Sequence, residues 1–180
     1  MGSDSQASSA STDLCTSCGL CCSGVVYDSV PIGAHELTNV GELGLEPYEE
    51  PANQHRFNLP CRHLQGTRCG VFDRRPEPCG AFRCELLKSF EAGELSMIQA
   101  TGRVAEAKAM IDEVRPLIDE AGGPITPKKW GALLETWRAN ALAGRATEME
   151  AVVVLQLARL NRFLDTHFRS KDQQVVKNKD

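Results

Sequence analysis

Eight cysteines crowded into one part of the chain constrain its fold more than any other feature. All of them fall between positions 15 and 84, and the rest of the 180-residue chain contains none. The chain therefore divides into a cysteine-rich first half and a cysteine-free second half. The eight are Cys15, Cys18, Cys21, Cys22, Cys61, Cys69, Cys79 and Cys84.

The cellular compartment decides what such cysteines do. Secreted proteins pair them as disulfides, whereas cytosolic proteins use them for metals or redox chemistry. The first residues, MGSDSQASSASTD, contain neither the positive charge nor the apolar run of a signal peptide, and Gln6 stands where a myristoylation signal needs Ser or Thr. We therefore expect a cytoplasmic, metal-binding protein. The even number of cysteines leaves an extracellular disulfide domain as the alternative.

Composition excludes several other classes of protein. Hydrophobic residues make up 42% of the chain and charged residues 24%, values that are ordinary for a globular protein. The net charge of -4 argues against a general nucleic-acid binder, which usually carries a basic excess. No apolar run approaches the roughly 18 residues that span a bilayer, so we expect no membrane segment.

The distribution of Gly, Pro and apolar residues along the chain predicts four segments. We expect a disordered tail over 1–12, a cysteine-rich metal-binding module over 13–92, a helical segment over 93–169 and a polar tail over 170–180. Many Gly and Pro residues and few large apolar ones occur between 13 and 84, so a metal, not a core, should organise that module. Residues 25–27 and 70–72 could form short extended pieces. The predicted fold is mainly α, with a small irregular N-terminal half followed by a helical bundle.

Start signals and apolar stripes define the helices of the second half. Ser96 and Thr147 each open a capping box, in which a Gln or Glu follows three residues later. Thr126 is expected to be the N-cap of a further helix, with Pro127 at its first position. Pro116 should kink or end the helix that starts at Ser96. The apolar residues that recur at three- and four-residue spacing are expected to form the core.

The first cysteine cluster has the spacing of iron–sulfur ligands. Cys15, Cys18 and Cys21 form a C-x2-C-x2-C run, which is typical of three ligands to one cluster. The usual fourth cysteine is missing, because position 25 is Val, so we expect the fourth ligand to come from 61–84. Cys22 should point away from its neighbour Cys21, and would serve a second centre or act as an alternative ligand.

The second cluster supplies the other four cysteines. A hairpin-like return is expected at Gly66, and Cys79 and Cys84 lie near a helix start, which favours a thiolate. His63 is a weaker candidate ligand that could replace a cysteine. His35 is expected to be a surface or partly buried residue, and the acidic stretch that begins at Glu36 to be solvated. Five arginines could offset thiolate charge or simply be solvated: Arg62, Arg68, Arg74, Arg75 and Arg83.

The two clusters together resemble the YkgJ family of bacterial cysteine-cluster proteins. The C-x2-C-x2-C-C run is followed by Pro60-Cys61 and by the pattern C-x-V-F-x-x-R-P-x-x-C-x-x-F-x-C, which runs from Cys69 to Cys84. Gly80 follows Cys79 where the family often has Arg. The resemblance covers residues 15 to 84 and implies zinc or iron chelation. Similar cysteine domains occur in flagellin lysine methylases, so it also allows a protein-modifying role, although this chain has no G-x-G-x-x-G motif for a nucleotide or S-adenosylmethionine.

Two functions follow from these patterns. The first is a protein that holds an iron–sulfur cluster or iron through its eight cysteines, with a redox or protein-modifying role toward a protein partner or substrate. The second is a structural zinc module with a helical protein-interaction segment and no catalysis. No Ser/His/Asp set can be recognised from spacing, so whether the chain is an enzyme stays open.

Overall fold

The computed structural model describes residues 3–124 and 126–173, and the fold is mainly α, as the sequence predicts. The described chain forms seven α-helices, a three-stranded sheet and a two-stranded hairpin. The helices are α1 (Ser3–Cys18), α2 (Leu37–Glu42), α3 (Glu77–Ala81), α4 (Glu85–Glu91), α5 (Met97–Glu120), α6 (Trp130–Leu142) and α7 (Glu148–His167). The strands are β1 (Ser29–Ile32), β2 (Pro47–Glu50), β3 (Gln54–Asn58), β4 (Leu64–Gln65) and β5 (Arg68–Cys69).

Helix α7 packs against both α5 and α6, and the three helices form the main core. Val114 of α5, Trp137 of α6 and Leu157 of α7 are among the side chains that they bury. The same core takes in Leu14 of α1 and Leu86 of α4, which belong to the cysteine-rich part of the chain. The helices and the cysteine-rich part therefore share one apolar core.

The predicted capping boxes are confirmed at both long helices. The side chain of Ser96 accepts the N–H of Gln99 at the start of α5, and the side chain of Thr147 accepts the N–H of Glu150 at the start of α7. In each case the side chain of the Gln or Glu three residues later accepts the backbone N–H of the cap residue. The two bonds satisfy two backbone donors that would otherwise lack a partner.

The two proline predictions have different outcomes. Pro116 lies inside α5, which continues to Glu120, so of the two expected effects the proline does not end the helix. The last turn includes Ile118, which is buried in the main core. The prediction at Thr126 and Pro127 is confirmed in position, because Thr126 is the N-cap and Pro127 the first residue of the 3₁₀ turn Pro127–Lys129 that leads into α6 at Trp130, although Thr126 makes no side-chain capping bond.

The three-stranded sheet was not expected. It has the order β1-β3-β2 with both pairings antiparallel, and Phe57 of β3 faces Val30 of β1 and Pro47 of β2. Residues 25–27 and 70–72, which could have formed short extended pieces, belong to none of the five strands. Val25 and Val26 instead enter the main core as irregular chain, so burial and not sheet pairing explains their apolar character.

A second, smaller core corrects the expectation that only a metal organises the first half. Phe57, which is 1% exposed, and Val40, which is 0% exposed, lie at its centre between the sheet and α2. The remaining buried members are Ile32, Leu43, Leu45 and Leu59. The sheet side of the cysteine-rich part therefore has an apolar core of its own.

The N-terminal segment also differs from its prediction as a disordered tail. From Ser3 onward it lies in α1, which runs without Gly or Pro to Cys18. Leu14 is 3% exposed and fixes the last turns of α1 against the main core. Residues 1 and 2 lie outside the described residues.

The last described residues form a short turn, and the described helices include no candidate membrane span. Within the predicted polar tail, Lys171–Gln173 form a 3₁₀ turn, and residues 174–180 lie outside the described part of the chain. No helix in the described chain combines the length and the apolar character needed to cross a membrane.

Candidate metal centre

All eight cysteines line one cavity of about 580 Å³. They arrive from separate elements: Cys15 and Cys18 from the last turns of α1, Cys69 from β5, Cys79 from α3, and Cys84 from the residue before α4. Cys21, Cys22 and Cys61 come from the connecting chain. All eight are free thiols in this structure. The fold therefore gathers the two cysteine clusters of the sequence around a single space.

The turn after α1 is built around Gly19. This residue has φ +71, a left-handed conformation that favours glycine, and a Cβ placed there would lie 2.9 Å from Cα of Thr67. The chain then folds back so that the N–H of Ser23 bonds to the carbonyl of Gly19 at 3.0 Å. Because Leu20 is buried in the main core, the turn is fixed against the helices while its cysteines line the cavity.

Four thiols are neighbours on the side of the cavity that faces the helices: Cys15, Cys18, Cys21 and Cys84. Burial and then the Cys84 thiol raise the pKa of Cys15, and burial raises the pKa of Cys18 to about 11, with Cys84 and Cys15 adding to the effect. Hydrogen bonding with the Cys84 thiol and burial raise the pKa of Cys21 well above its ordinary value. We call these four the helix-side thiols. They bring together the C-x2-C-x2-C run and one cysteine from 61–84.

Cys84 is the thiol of this set that ionises most easily. Its hydrogen bond with Cys21 and the backbone N–H groups of Leu86 and Leu87 lower its pKa to about 7, against the opposing effect of burial. Those N–H groups open α4, where the helix dipole also favours an anion. The predicted effect of a helix start on thiolate formation is therefore found at Cys84. The same effect does not prevail at Cys79, where burial raises the pKa to about 12.

The other four thiols, Cys22, Cys61, Cys69 and Cys79, are neighbours on the side of the sheet. Burial and then the Cys61 and Cys79 thiols raise the pKa of Cys22 to about 12. The backbone N–H of Cys61 bonds to the carbonyl of Cys22 at 2.8 Å, which ties the two clusters directly. The hairpin predicted at Gly66 is confirmed, with Cys69 opposite Leu64 in the β4–β5 pairing. We call these four the sheet-side thiols.

Adjacent Cys21 and Cys22 thus contribute to different sets. The principal neighbours of Cys21 are Cys84 and Cys18, whereas those of Cys22 are Cys61 and Cys79. Cys15 stands between the sets, since it is a neighbour of Cys84 and also of Cys69, and it is the exposed member of the eight. Cys15 is therefore the thiol of the cavity that solvent reaches most readily.

The spacing of the sulfurs bears on what the cavity could hold. Soft thiolate donors suit zinc, iron–sulfur clusters and copper(I), so the donor set fits the metals expected from sequence. A zinc ion with Zn–S bonds of about 2.3 Å holds its four sulfurs roughly 3.8 Å apart. Over the residues that the structure describes, no three of the eight sulfurs lie mutually within 4.8 Å. The thiols are therefore spread more widely than a single tetrahedral ion requires.

Two of the five predicted arginines act on the thiols. Arg75 lines the cavity, lies 3.9 Å from the centre of the Phe72 ring, and counteracts the raised pKa of Cys15 and Cys79. Arg83 acts in the same direction on Cys15. The other three do not line the cavity: Arg62 donates to the carbonyl of Gly44, Arg74 pairs with Glu42, and Arg68 is exposed.

Two basic residues near the thiols were missed from sequence. Lys108 of α5 donates a 2.8 Å bond to the carbonyl of Ser17 and counteracts the raised pKa of Cys18. Arg169 lines the cavity after the end of α7 and is buried. Each is an isolated basic residue far along the chain, Lys108 within α5 and Arg169 after α7, so no local pattern could have identified it.

His63 is not placed with the cysteines. Its Nε2–H donates a 2.7 Å hydrogen bond to the carbonyl of Leu43, and it is not one of the residues that line the cavity. The ring holds the hairpin against the chain after α2 and so explains its position without a metal.

Of the comparisons with known proteins, the one with family models found a match. The family model named CxxCxxCC, with the description "Putative zinc- or iron-chelating domain", matches residues 14–106. No curated protein and no solved structure matches the chain. The match runs past Cys84 through α4 and into α5, further than the motif resemblance extends. Because it covers more than half of the chain, this protein belongs to the CxxCxxCC family, with which the name YkgJ is consistent.

Proposed function

We propose that the protein holds an iron–sulfur cluster or iron through its eight cysteines, as two neighbouring centres of four thiols each. The observation that carries the proposal is the convergence of all eight thiols on one cavity and their division into two sets. The helix-side thiols would bind one centre and the sheet-side thiols the other. The family description supports metal binding of this kind.

The surroundings of the thiols support iron over a single zinc ion in each set. Over the described residues, the sulfurs are more widely spread than a tetrahedral ion needs. Arg75, Arg83 and Lys108 can offset the negative charge of thiolates bound to either metal. A bound iron–sulfur cluster would supply electron transfer. The chain itself would position the thiols, partly exclude water and balance charge.

The proposal extends to redox chemistry or modification of a partner protein. Cys15 is the exposed thiol, so a protein partner or substrate could approach the centre from the side of Cys15. We also place the protein in the cytoplasm, because eight free thiols are maintained in a reducing compartment.

The second candidate is a structural zinc module without catalysis. It is favoured by the number of thiols, since four is the usual ligand count of a closed structural zinc site and each set has four. In that case the metals would tie α1, the hairpin and α4 together, and the helices α5 to α7 would provide the surface for a protein partner.

Anaerobic purification followed by absorption spectroscopy and elemental analysis tests the proposal. We expect a coloured protein with broad visible absorption, iron and acid-labile sulfide. A colourless protein with stoichiometric zinc and no iron would replace the iron proposal with the zinc alternative. A metal-free protein with oxidised cysteines would contradict both.

A further inference from the structure

His35, Glu36 and Glu77 converge at a surface position outside the thiol cavity. His35 and Glu36 belong to the 3₁₀ turn Ala34–Glu36, and Glu77 is the first residue of α3. One imidazole nitrogen and one oxygen from each carboxylate all lie within 4.8 Å of one another, and within the described residues this is the set of three such groups that does so. Nε2 of His35 is 3.2 Å from Oε2 of Glu77.

The carboxylate of Glu36 is held in place by neutral donors, whereas that of Glu77 contacts the His35 ring. Oε2 of Glu36 accepts a 3.2 Å bond from Nδ2 of Asn39 and lies 3.4 Å from the backbone N of Glu77. The side chains of His35 and Glu77 are 70% and 72% exposed, so a hydrated ion can reach them. Two like charges are therefore brought together around a space that a cation could occupy.

Gly33 makes room for the imidazole. A Cβ at this position would lie 2.5 Å from Cε1 and 2.6 Å from Nδ1 of His35, closer than such contacts allow. The backbone of Gly33 is extended, with φ -74 and ψ 156, which any residue adopts. The missing side chain thus matters for the position of the ring and not for the backbone.

The donors define the class of ion. One imidazole and two carboxylates suit divalent zinc, iron or manganese, and they are harder donors than thiolates. Such a site would bind an ion less tightly than four thiolates do. An ion held there could therefore move on to a thiolate site close by.

The sheet-side thiols lie close by. Glu77 precedes Cys79 by two residues on α3. Burial and then the Cys61 and Cys69 thiols raise the pKa of Cys79, and the charge of Glu36 adds to this effect. The surface carboxylates and the thiol of Cys79 are therefore neighbours.

We propose that His35, Glu36 and Glu77 form a surface site that captures a divalent transition-metal ion and delivers it to the sheet-side thiols. The delivery step rests on the proposed function, because it needs thiols that bind metal. The capture step does not, since the three donors can be tested with the thiol sites already filled.

The capture step is tested by titrating Zn²⁺ alone into the full chain as purified with its metal. The wild type is expected to take up one further ion. Glu77→Gln and His35→Ala are expected to bind this ion at least roughly tenfold more weakly, because even the loss of a residue that hydrogen-bonds to a metal ligand typically lowers metal affinity by that factor. Glu42→Gln is the matched control, because Glu42 is an exposed carboxylate that pairs with Arg74 at 3.9 Å and is not part of the three-residue cluster. Gly33→Ala should weaken binding by displacing the ring.

The delivery step is tested by adding Zn²⁺ to the reduced, metal-free chain and following thiol loading. Glu77→Gln and His35→Ala are expected to slow loading several-fold and leave the final stoichiometry unchanged, whereas Glu42→Gln loads like the wild type. The inference would be overturned if the wild type bound no additional ion, or if both variants still bound the additional ion as tightly as the wild type. Equal loading rates would overturn delivery. A wild-type chain whose thiols take up no metal would instead count against the proposed function.

Discussion

The guanidinium of Arg169 donates a 2.8 Å hydrogen bond to the carbonyl of Val26, four residues after Cys22. It also donates to the carbonyl of Val25 at 3.0 Å and pairs with Asp165 of α7 at 2.9 Å. The side chains of both charged partners are more than nine-tenths buried. The end of α7 thus holds the chain that leaves the first cysteine cluster, which makes the helical half a support for the thiols.

Replacing Arg169 should destabilise the fold strongly. Arg169→Met removes the buried guanidinium that donates to the carboxylate of Asp165 at 2.9 Å, and breaking a buried ion pair typically costs about 3–5 kcal/mol. Chemical denaturation measures the free energy of unfolding directly. Arg159→Met is the control, because Arg159 pairs with Glu113 at 3.6 Å on the exposed surface, where such a pair contributes less than about 1 kcal/mol. Similar small losses in both variants would show that the buried network does not support the fold.

Gly19→Ala should disturb the first cysteine cluster. Its left-handed backbone costs a non-glycine residue roughly 1–2 kcal/mol, and the new Cβ would meet the backbone of Thr67 at 2.9 Å. We expect a loss of more than about 1 kcal/mol, together with reduced metal content. Gly102→Ala in α5 is the control, since its Cβ would meet nothing within 4 Å and should stabilise the helix by about 0.5–1 kcal/mol. A Gly19→Ala protein as stable as the wild type would contradict the close approach.

The raised thiol pKa values predict how the metal-free, reduced protein responds to alkaline pH. Cys22 and Cys79 have pKa values of about 12 in the fold against an ordinary 9.0, so above pH 9 the unfolded chain binds fewer protons than the folded one. Their contribution to stability is therefore complete below pH 9 and is lost as the pH rises toward 12. Thermal unfolding from pH 8 to 11 should show this decline. The double variant Cys22→Ala, Cys79→Ala should show a smaller decline, and an identical one would be inconsistent with the buried thiols.

Metal removal should loosen the thiol-bearing segments selectively. Residues 15–27 and 60–84 carry the eight cysteines, whereas α5, α6 and α7 have their own buried interfaces, and Phe57 and Val40 anchor the sheet. After strong chelation, we expect faster amide hydrogen exchange in the two thiol segments and unchanged protection in α5 and α7. Unchanged exchange throughout residues 15–84 would show that the metal does not organise this part of the chain.

Local signals in the sequence predicted the helical half well. The capping boxes at Ser96 and Thr147 lie where the structure starts α5 and α7, because a cap depends on residues only three apart. The sheet was missed, since β1 to β3 are only four or five residues long and two of them contain proline. Their stability comes from burying Phe57 and not from a strong local pattern.

The grouping of the thiols was predictable only in part. Spacing placed Cys15, Cys18 and Cys21 together and required a partner from 61–84, and the structure brings Cys84 to them. Sequence could not select Cys84, because the choice depends on how α4 packs beside α1. Arg169 could not be found either, since its partners Val25 and Val26 are more than 140 residues away in the chain.

The metal content of purified Cys18→Ser protein tests the central claim most directly. Cys18 is one of the four helix-side thiols, and a lost ligand opens a coordination position to water and oxygen. Ser17→Ala is the control, because it changes the same turn of α1 without removing a thiol. The account predicts a sharp fall in bound metal for Cys18→Ser and wild-type content for Ser17→Ala. The account would be contradicted if single Ser substitutions at 15, 18 and 21 all left bound metal at the wild-type stoichiometry.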